Sequence, residues 1–200
     1  GVSYGDIAER YYTVGQYMKE VKDVSKAMAA AGDSYICDEY LNAMGSPEAE
    51  SVYVLHDLNN DGIEEFFIGL KFNYDIPYYV IYDVYTWKDG RAYQLMRGIG
   101  YRNGSCKICE NGVIEDNYSG SAWDGQTLYH ILPEGGIELE TIDSVSSRRD
   151  GTVQSYYHWN ELIDENSLQT ILEQYQPESV TYVDCNRETI EQLRLSGIRK

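Results

Sequence analysis

The chain has 200 residues, enough for one domain that buries a hydrophobic core without disulfide staples. Its 33 acidic residues outnumber its 16 basic residues, so the net charge is −17 at pH 7. This balance argues against nucleic acid and anionic membrane surfaces as partners, because phosphate binding needs clustered lysine and arginine. No run of apolar residues approaches the ~18 that a membrane-spanning helix needs, so no membrane-spanning segment is expected.

The N-terminal segment has the spacing of apolar residues that is typical of helices. Between residues 6 and 31 these side chains recur every three or four positions, and Gly32 supplies a stop signal. A shorter helix is predicted for residues 34–44, ended by Gly45 and Pro47. Residues 1–47 are therefore expected to form the N-terminal helices.

After Pro47 the apolar residues follow the period of strands. Two residue pairs, Asp89-Gly90 and Asn111-Gly112, are strong signals for hairpin turns, and a third turn is predicted at 134–136. Residues 78–87 are apolar in both alternating sets, which indicates a central strand covered on both faces. Residues 50–158 are thus predicted to form one antiparallel meander of about seven or eight strands. The strand-like segments are 52–56, 65–71, 78–87, 91–97, 107–109, 113–118, 127–132, 137–145 and 152–157.

The helical period returns near the C-terminus. One helix is predicted for residues 165–175, and a last one starts at Asn186, so residues 160–200 are expected to be mainly helical. Helices at both ends of one run of strands predict an α+β fold, with the helices packed on the sheet in a single domain over residues 1–200.

The segment 57–65 places oxygen-bearing groups at the spacing of a calcium loop. Calcium takes six to eight oxygen ligands, and Gly62 permits the tight turn that brings such ligands together. The alternative for these residues is an Asx-rich turn that holds no metal, since Asn, Asp and Gly favour turns unaided. The predicted calcium ligands are five oxygen donors: Asp57, Asn59, Asp61, the backbone carbonyl of Ile63, and Glu65.

This loop resembles the D-x-D-x-D-G calcium loops of strand–loop–strand type found in FG-GAP repeats. It differs from an EF-hand, because the twelfth position is Ile68 and the residues after Glu65 have a strand pattern. Residues 54–66 are also similar to a motif of secreted and lipid-anchored proteins of Gram-positive bacteria, most without an assigned function. The resemblance implies a structural calcium ion and an extracytoplasmic location, secreted or lipid-anchored at the cell surface. Millimolar calcium there would fill even a weak site.

The cysteines and histidines give no second metal pattern. Cys106 and Cys109 have C-x-x-C spacing, but residues three apart on a strand point to opposite faces, so separate buried or paired thiols are expected. The other cysteines are Cys37 and Cys185, and the three isolated histidines are His56, His130 and His158.

A second candidate ligand site is the segment 115–124. It joins two predicted strands and combines Glu115, Asp116 and Asp124 with Trp123, a mixture common in glycan binding. Two functions therefore stay open. One is a non-enzymatic calcium-binding domain that binds a glycan or another cell-envelope ligand. The alternative is a hydrolase that acts on glycan or peptide through these carboxylates, although no nucleophile–base pattern is recognisable.

Overall fold

The computed structural model describes residues 1–31, 36–97, 105–132 and 136–196. These residues confirm the α+β class, with helices at both ends of the strand region. The helices are α1 (Tyr4–Val21), α2 (Val24–Ala31), α3 (Asp38–Met44), α4 (Glu165–Leu172) and α5 (Arg187–Leu195). The strands are β1 (Ala49–His56), β2 (Glu65–Phe72), β3 (Tyr78–Lys88), β4 (Arg91–Met96), β5 (Ser105–Cys109), β6 (Val113–Ser119), β7 (Trp123–Ile131), β8 (Leu139–Asp150), β9 (Val153–His158), β10 (Glu161–Ile163) and β11 (Val183–Asp184).

The helix predicted over residues 6–31 is two helices, α1 and α2. Ser3 and Asp6 form a capping box at the start of α1, where each side chain accepts the backbone N–H of the other residue. The helix ends because Lys22 adopts the left-handed conformation, with φ of 49°, and donates its N–H to the Met18 carbonyl at 2.8 Å. Apolar spacing continues across this break, so the pattern alone did not predict it. Gly32 and residues 34–35 lie outside the described residues.

The strands form two antiparallel sheets in the described part of the chain, not one meander of seven or eight strands. The five-stranded sheet has the order β11-β1-β2-β3-β4, and the six-stranded sheet has the order β10-β9-β8-β7-β6-β5. Strand β3 is covered on both faces, as predicted. Its Tyr82 and Tyr85 pack with the helices, whereas Ile81 and Val84 pack with the six-stranded sheet.

The two sheets pack through a shared apolar core, so the molecule has three layers. One core cluster joins Val54 and Phe67 of the five-stranded sheet with Ile108 and Ile114 of the six-stranded sheet. On the other face of the five-stranded sheet, the helices contribute the larger core cluster. The middle layer is therefore the five-stranded sheet.

Both predicted hairpin turns have the backbone that their sequences require. Asp89 and Gly90 have φ of 50° and 76°, and Asn111 and Gly112 have φ of 60° and 72°. The turn at Gly112 also touches the loop between β1 and β2, because a Cβ there would overlap the carbonyl oxygen of Leu58. The predicted turn at 134–136 falls mostly outside the described residues.

None of the helices in the described ranges combines the length and the apolar character that crossing a membrane requires.

Candidate metal site

The loop between β1 and β2 lies where the two sheets meet. Leu58 is only 2% exposed and belongs to the core between the sheets. Asn60 and Gly62 take positive φ angles of 57° and 84°, which turn the chain sharply. The core therefore anchors the loop at Leu58, while its polar side chains lie at the surface.

Three of the predicted ligand side chains organise this turn through backbone hydrogen bonds. The Asp57 carboxylate accepts the N–H of Gly62 at 2.9 Å and that of Asp61 at 3.2 Å. The Asn59 side-chain oxygen also accepts the Asp61 N–H at 3.2 Å. Asp61 accepts the N–H of Ile63 at 2.8 Å and the Asn59 side-chain amide at 3.1 Å. Asp57, Asn59 and Asp61 are thus brought together within one turn.

Glu65 lies beneath the loop and is 1% exposed. One carboxylate oxygen accepts the Leu58 N–H at 2.9 Å, and the other accepts the Thr86 hydroxyl at 2.9 Å. The pKa of Glu65 is raised to about 7, mainly by burial and to a smaller extent by the Asp61 and Asp57 carboxylates, and the two hydrogen bonds oppose this rise. The carboxylate is therefore held in place by two hydrogen bonds.

Two other parts of the chain contact the loop. The Tyr4 hydroxyl of α1 donates to the Glu64 carbonyl at 2.9 Å. Gly112 packs on Leu58 from the six-stranded sheet. A cavity of about 270 Å³ lies beside the loop, lined among others by Asn59, Asp61, Thr86 and Lys88. The loop is therefore in contact with α1 of the helical layer and with the turn before β6 of the six-stranded sheet.

The donor chemistry of the loop suits calcium, although the side chains are not arranged around one point. Within the described residues, no lysine, arginine or histidine forms an ion pair with Asp57, Asp61 or Glu65. The same residues contain no group of three or more His, Cys, Asp or Glu side chains arranged to hold a metal ion. Glu65 does not point at the other proposed ligands, because both of its carboxylate oxygens accept hydrogen bonds from Leu58 and Thr86.

The carboxylates of the segment 115–124 do not share one cleft. Glu115 is buried on the face of β6 that points away from the five-stranded sheet, where the Cys109 thiol donates to it at 3.7 Å. Asp116 is the next residue and points to the opposite face, and burial raises its pKa to about 6. Asp124 is exposed and accepts the Ser119 hydroxyl at 2.5 Å. The strand geometry thus separates the side chains that the sequence grouped.

All four cysteines are free and buried. Cys106 belongs to the core between the sheets, whereas Cys109 belongs to a separate cluster on the outer face. The expectation that these two thiols point to opposite faces is confirmed.

One polar cluster was not recognised in the sequence. The His158 imidazole contacts the Asp143 carboxylate at 2.7 Å, and the Tyr175 hydroxyl donates to the same carboxylate at 2.8 Å. These residues come from β8, β9 and the segment after α4, so no local spacing could have indicated the cluster. It ties the C-terminal segment to the outer face of the six-stranded sheet.

Comparisons of the chain with protein-family models, with curated proteins and with solved structures find no match.

Proposed function

We propose that the loop 57–65 binds one calcium ion and that this ion stabilises the junction between the helical layer and the two sheets. Asp57, Asn59, Asp61 and the Ile63 carbonyl would hold the ion, and Glu65 would join them by releasing one of its two hydrogen bonds. The bound ion would supply positive charge, while the protein residues position the oxygen donors.

The observation that carries this proposal is the buried Glu65 carboxylate beside two other carboxylates. Burying a negative charge without a cation is unfavourable, and its raised pKa of about 7 expresses that cost. A divalent cation at the loop would stabilise all three carboxylates at once. Oxygen donors without sulfur or imidazole are typical of calcium sites.

The ligand set also bears on where the domain would work. Asn59 replaces one carboxylate of the usual D-x-D-x-D pattern, so the site carries less negative charge and is expected to be weak. A weak site suits a compartment with millimolar calcium. We therefore propose an extracytoplasmic location, with calcium as a structural ion. We propose no hydrolysis by Glu115, Asp116 and Asp124, because no observation places them around one substrate.

The test compares wild type, Asp61→Asn and the matched control Glu64→Gln. Both substitutions remove one negative charge from the loop, but Glu64 is exposed and is not a proposed ligand. Calcium at ten times its Kd should stabilise the wild type by about 1.4 kcal/mol. That gain corresponds to a rise in Tm of roughly 3–6 °C for a chain of this size.

Melting is measured in chelator and in millimolar calcium, and calorimetry measures the Kd. Glu64→Gln should keep the calcium-dependent rise in Tm, whereas Asp61→Asn should lose most of it. Equal Tm values for the wild type in both buffers, with no heat of binding, would refute the proposal.

A further inference from the structure

One face of the six-stranded sheet becomes progressively exposed along β6. Ile114 is fully buried against the five-stranded sheet, Asp116 is half-buried, and Tyr118 is 43% exposed. These three residues alternate along one strand and so point to the same face. Within the described residues, the five-stranded sheet therefore covers only part of this face and leaves the rest exposed.

The strand register shows which side chains share the open part. Residues directly paired across antiparallel strands lie side by side on one face. One cross-strand row runs from β6 to β10, and the neighbouring row from β7 to β9. The first row is Tyr118, Gly125, Ser146, Tyr157 and Leu162, and the second is Trp123, Arg148 and Ser155. Four strand spacings give the first row a length of about 19 Å.

The hydroxyl end of the Tyr118 ring lies over Gly125 in this row. A Cβ at Gly125 would be 2.5 Å from Cε1 of the Tyr118 ring, so the ring occupies the space that a side chain at Gly125 would fill. Gly125 is itself buried although it lies on the open face. The Tyr118 ring thus packs on the backbone at Gly125, while the residue remains 43% exposed.

Trp123 extends this aromatic surface in the second row. Its ring centroid lies 6.0 Å from that of Tyr157, and the Arg148 guanidinium lies 5.3 Å from it. Trp123 is 42% exposed. Hydroxyl groups of Ser146 and Ser155 lie in the same two rows, between or beside the rings.

We propose that this open face binds a neutral polysaccharide built of pyranose rings with equatorial substituents. Such rings have flat C–H faces, which match the rings of Tyr118, Trp123 and Tyr157. Their hydroxyl edges match the polar groups of Arg148 and of the serines. A ligand site that combines apolar contact area with a few placed polar groups is the usual arrangement for small molecules and chain ligands.

Charge decides between this ligand and the other possible occupants. Arg148 is the one cation of the two rows, and its guanidinium already lies over Trp123, so a polyanion would find no basic cluster. A second copy of the chain also has a net charge of −17, and the repulsion between the two copies opposes self-association. A neutral ligand meets neither obstacle. The inference goes beyond the proposed calcium site and does not depend on it, since the two lie on different elements.

The experiment uses native affinity gels that contain a soluble β-1,4-glucan, a xylan, a mixed-linkage β-glucan or heparin. Tryptophan fluorescence with the corresponding oligosaccharides then measures the Kd. We expect at least one neutral polysaccharide to retard the wild type and heparin not to. Trp123→Ala should raise the Kd at least tenfold, as is usual for a central aromatic anchor. The control Trp159→Ala removes an equally exposed indole (48%) outside the two rows and should leave the Kd unchanged.

A second pair of variants makes the test independent of the folding of Trp123→Ala. Tyr118→Phe keeps the flat ring and should retain binding, whereas Tyr118→Ala should lose it at unchanged circular dichroism. The proposal would be overturned by three results: no retardation by any neutral polysaccharide, tighter binding of heparin, or equal losses in Trp123→Ala and Trp159→Ala. Concentration-dependent dimerisation that Trp123→Ala abolishes would also overturn it, because the face would then be a dimer interface.

Discussion

The contact between Gly112 and Leu58 can be tested by comparing two glycines in similar turns. Gly112 and Gly90 have almost the same backbone conformation, with φ of 72° and 76°. A Cβ at Gly112 would lie 2.9 Å from the Leu58 carbonyl carbon and closer still to its oxygen, whereas a Cβ at Gly90 meets nothing within 4 Å. The two alanine variants therefore share the backbone strain and differ only in the steric clash.

The structure sets the expected size of each effect. A non-glycine residue in the left-handed region is destabilised by about 1–2 kcal/mol, which should apply to both variants. Gly112→Ala must in addition displace the backbone of Leu58, which is buried in the core. Overpacking of this kind adds about 1–3 kcal/mol. We expect Gly90→Ala to lose about 1 kcal/mol and Gly112→Ala to lose at least ~1 kcal/mol more.

Urea unfolding followed by circular dichroism measures both free energies of unfolding, and the same samples are titrated with calcium. Gly112→Ala should also weaken calcium binding, because Leu58 lies within the loop, while Gly90→Ala should not. Equal losses of stability within about 0.5 kcal/mol would show that the turn does not pack on Leu58. The inferred connection between the six-stranded sheet and the loop would then be wrong.

Three further variants test the buried polar groups. The pKa of Glu65 is raised to about 7, mainly by burial, so the folded state favours the neutral carboxyl group. In chelator, the stability that this preference adds is complete below pH ~4.5 and is lost as pH rises through about 7. The free energy of unfolding should fall by up to ~3 kcal/mol over that range. Glu65→Gln should flatten that part of the pH–stability curve, and an unchanged curve would contradict the burial. Burial raises the pKa of Asp116 to about 6, so the stability that its neutral form adds should be lost between about pH 4 and 6. Asp116→Asn should remove this pH dependence of the free energy of unfolding, measured by urea unfolding. Tyr175→Phe should lower stability by about 1–3 kcal/mol by removing the hydrogen bond to Asp143, and no loss would show that the bond contributes nothing.

The loop 57–65 illustrates what local sequence can predict. The spacing of Asp57, Asn59 and Asp61, with Gly62 after them, indicates a tight turn, and the side-chain to backbone hydrogen bonds of the loop form such a turn. Turn formation depends on neighbouring residues only, which is why the pattern is informative. The two hairpin turns were predictable for the same reason.

The position of Glu65 could not be predicted in the same way. Its two hydrogen-bond partners differ in their sequence distance, since Leu58 is seven residues away and Thr86 is 21 residues away. The sequence places Glu65 at the ninth position of the predicted calcium loop, but its burial under that loop depends on how β3 packs beside β2. The raised pKa is a consequence of that packing.

The division of the strands into two sheets is the clearest feature that only the tertiary structure decided. A period of two residues shows which side chains share a face, so the sequence by itself was enough to predict β1 to β9, the hairpin turns at 89–90 and 111–112 and the α+β class, but not the short strands β10 and β11. It does not show which face meets which partner, because contacts between sheets join residues far apart in the chain. Ile114 and Tyr118 share one face of β6, yet Ile114 is buried by the five-stranded sheet and Tyr118 is not. The aromatic face exists because the packed sheets overlap only in part.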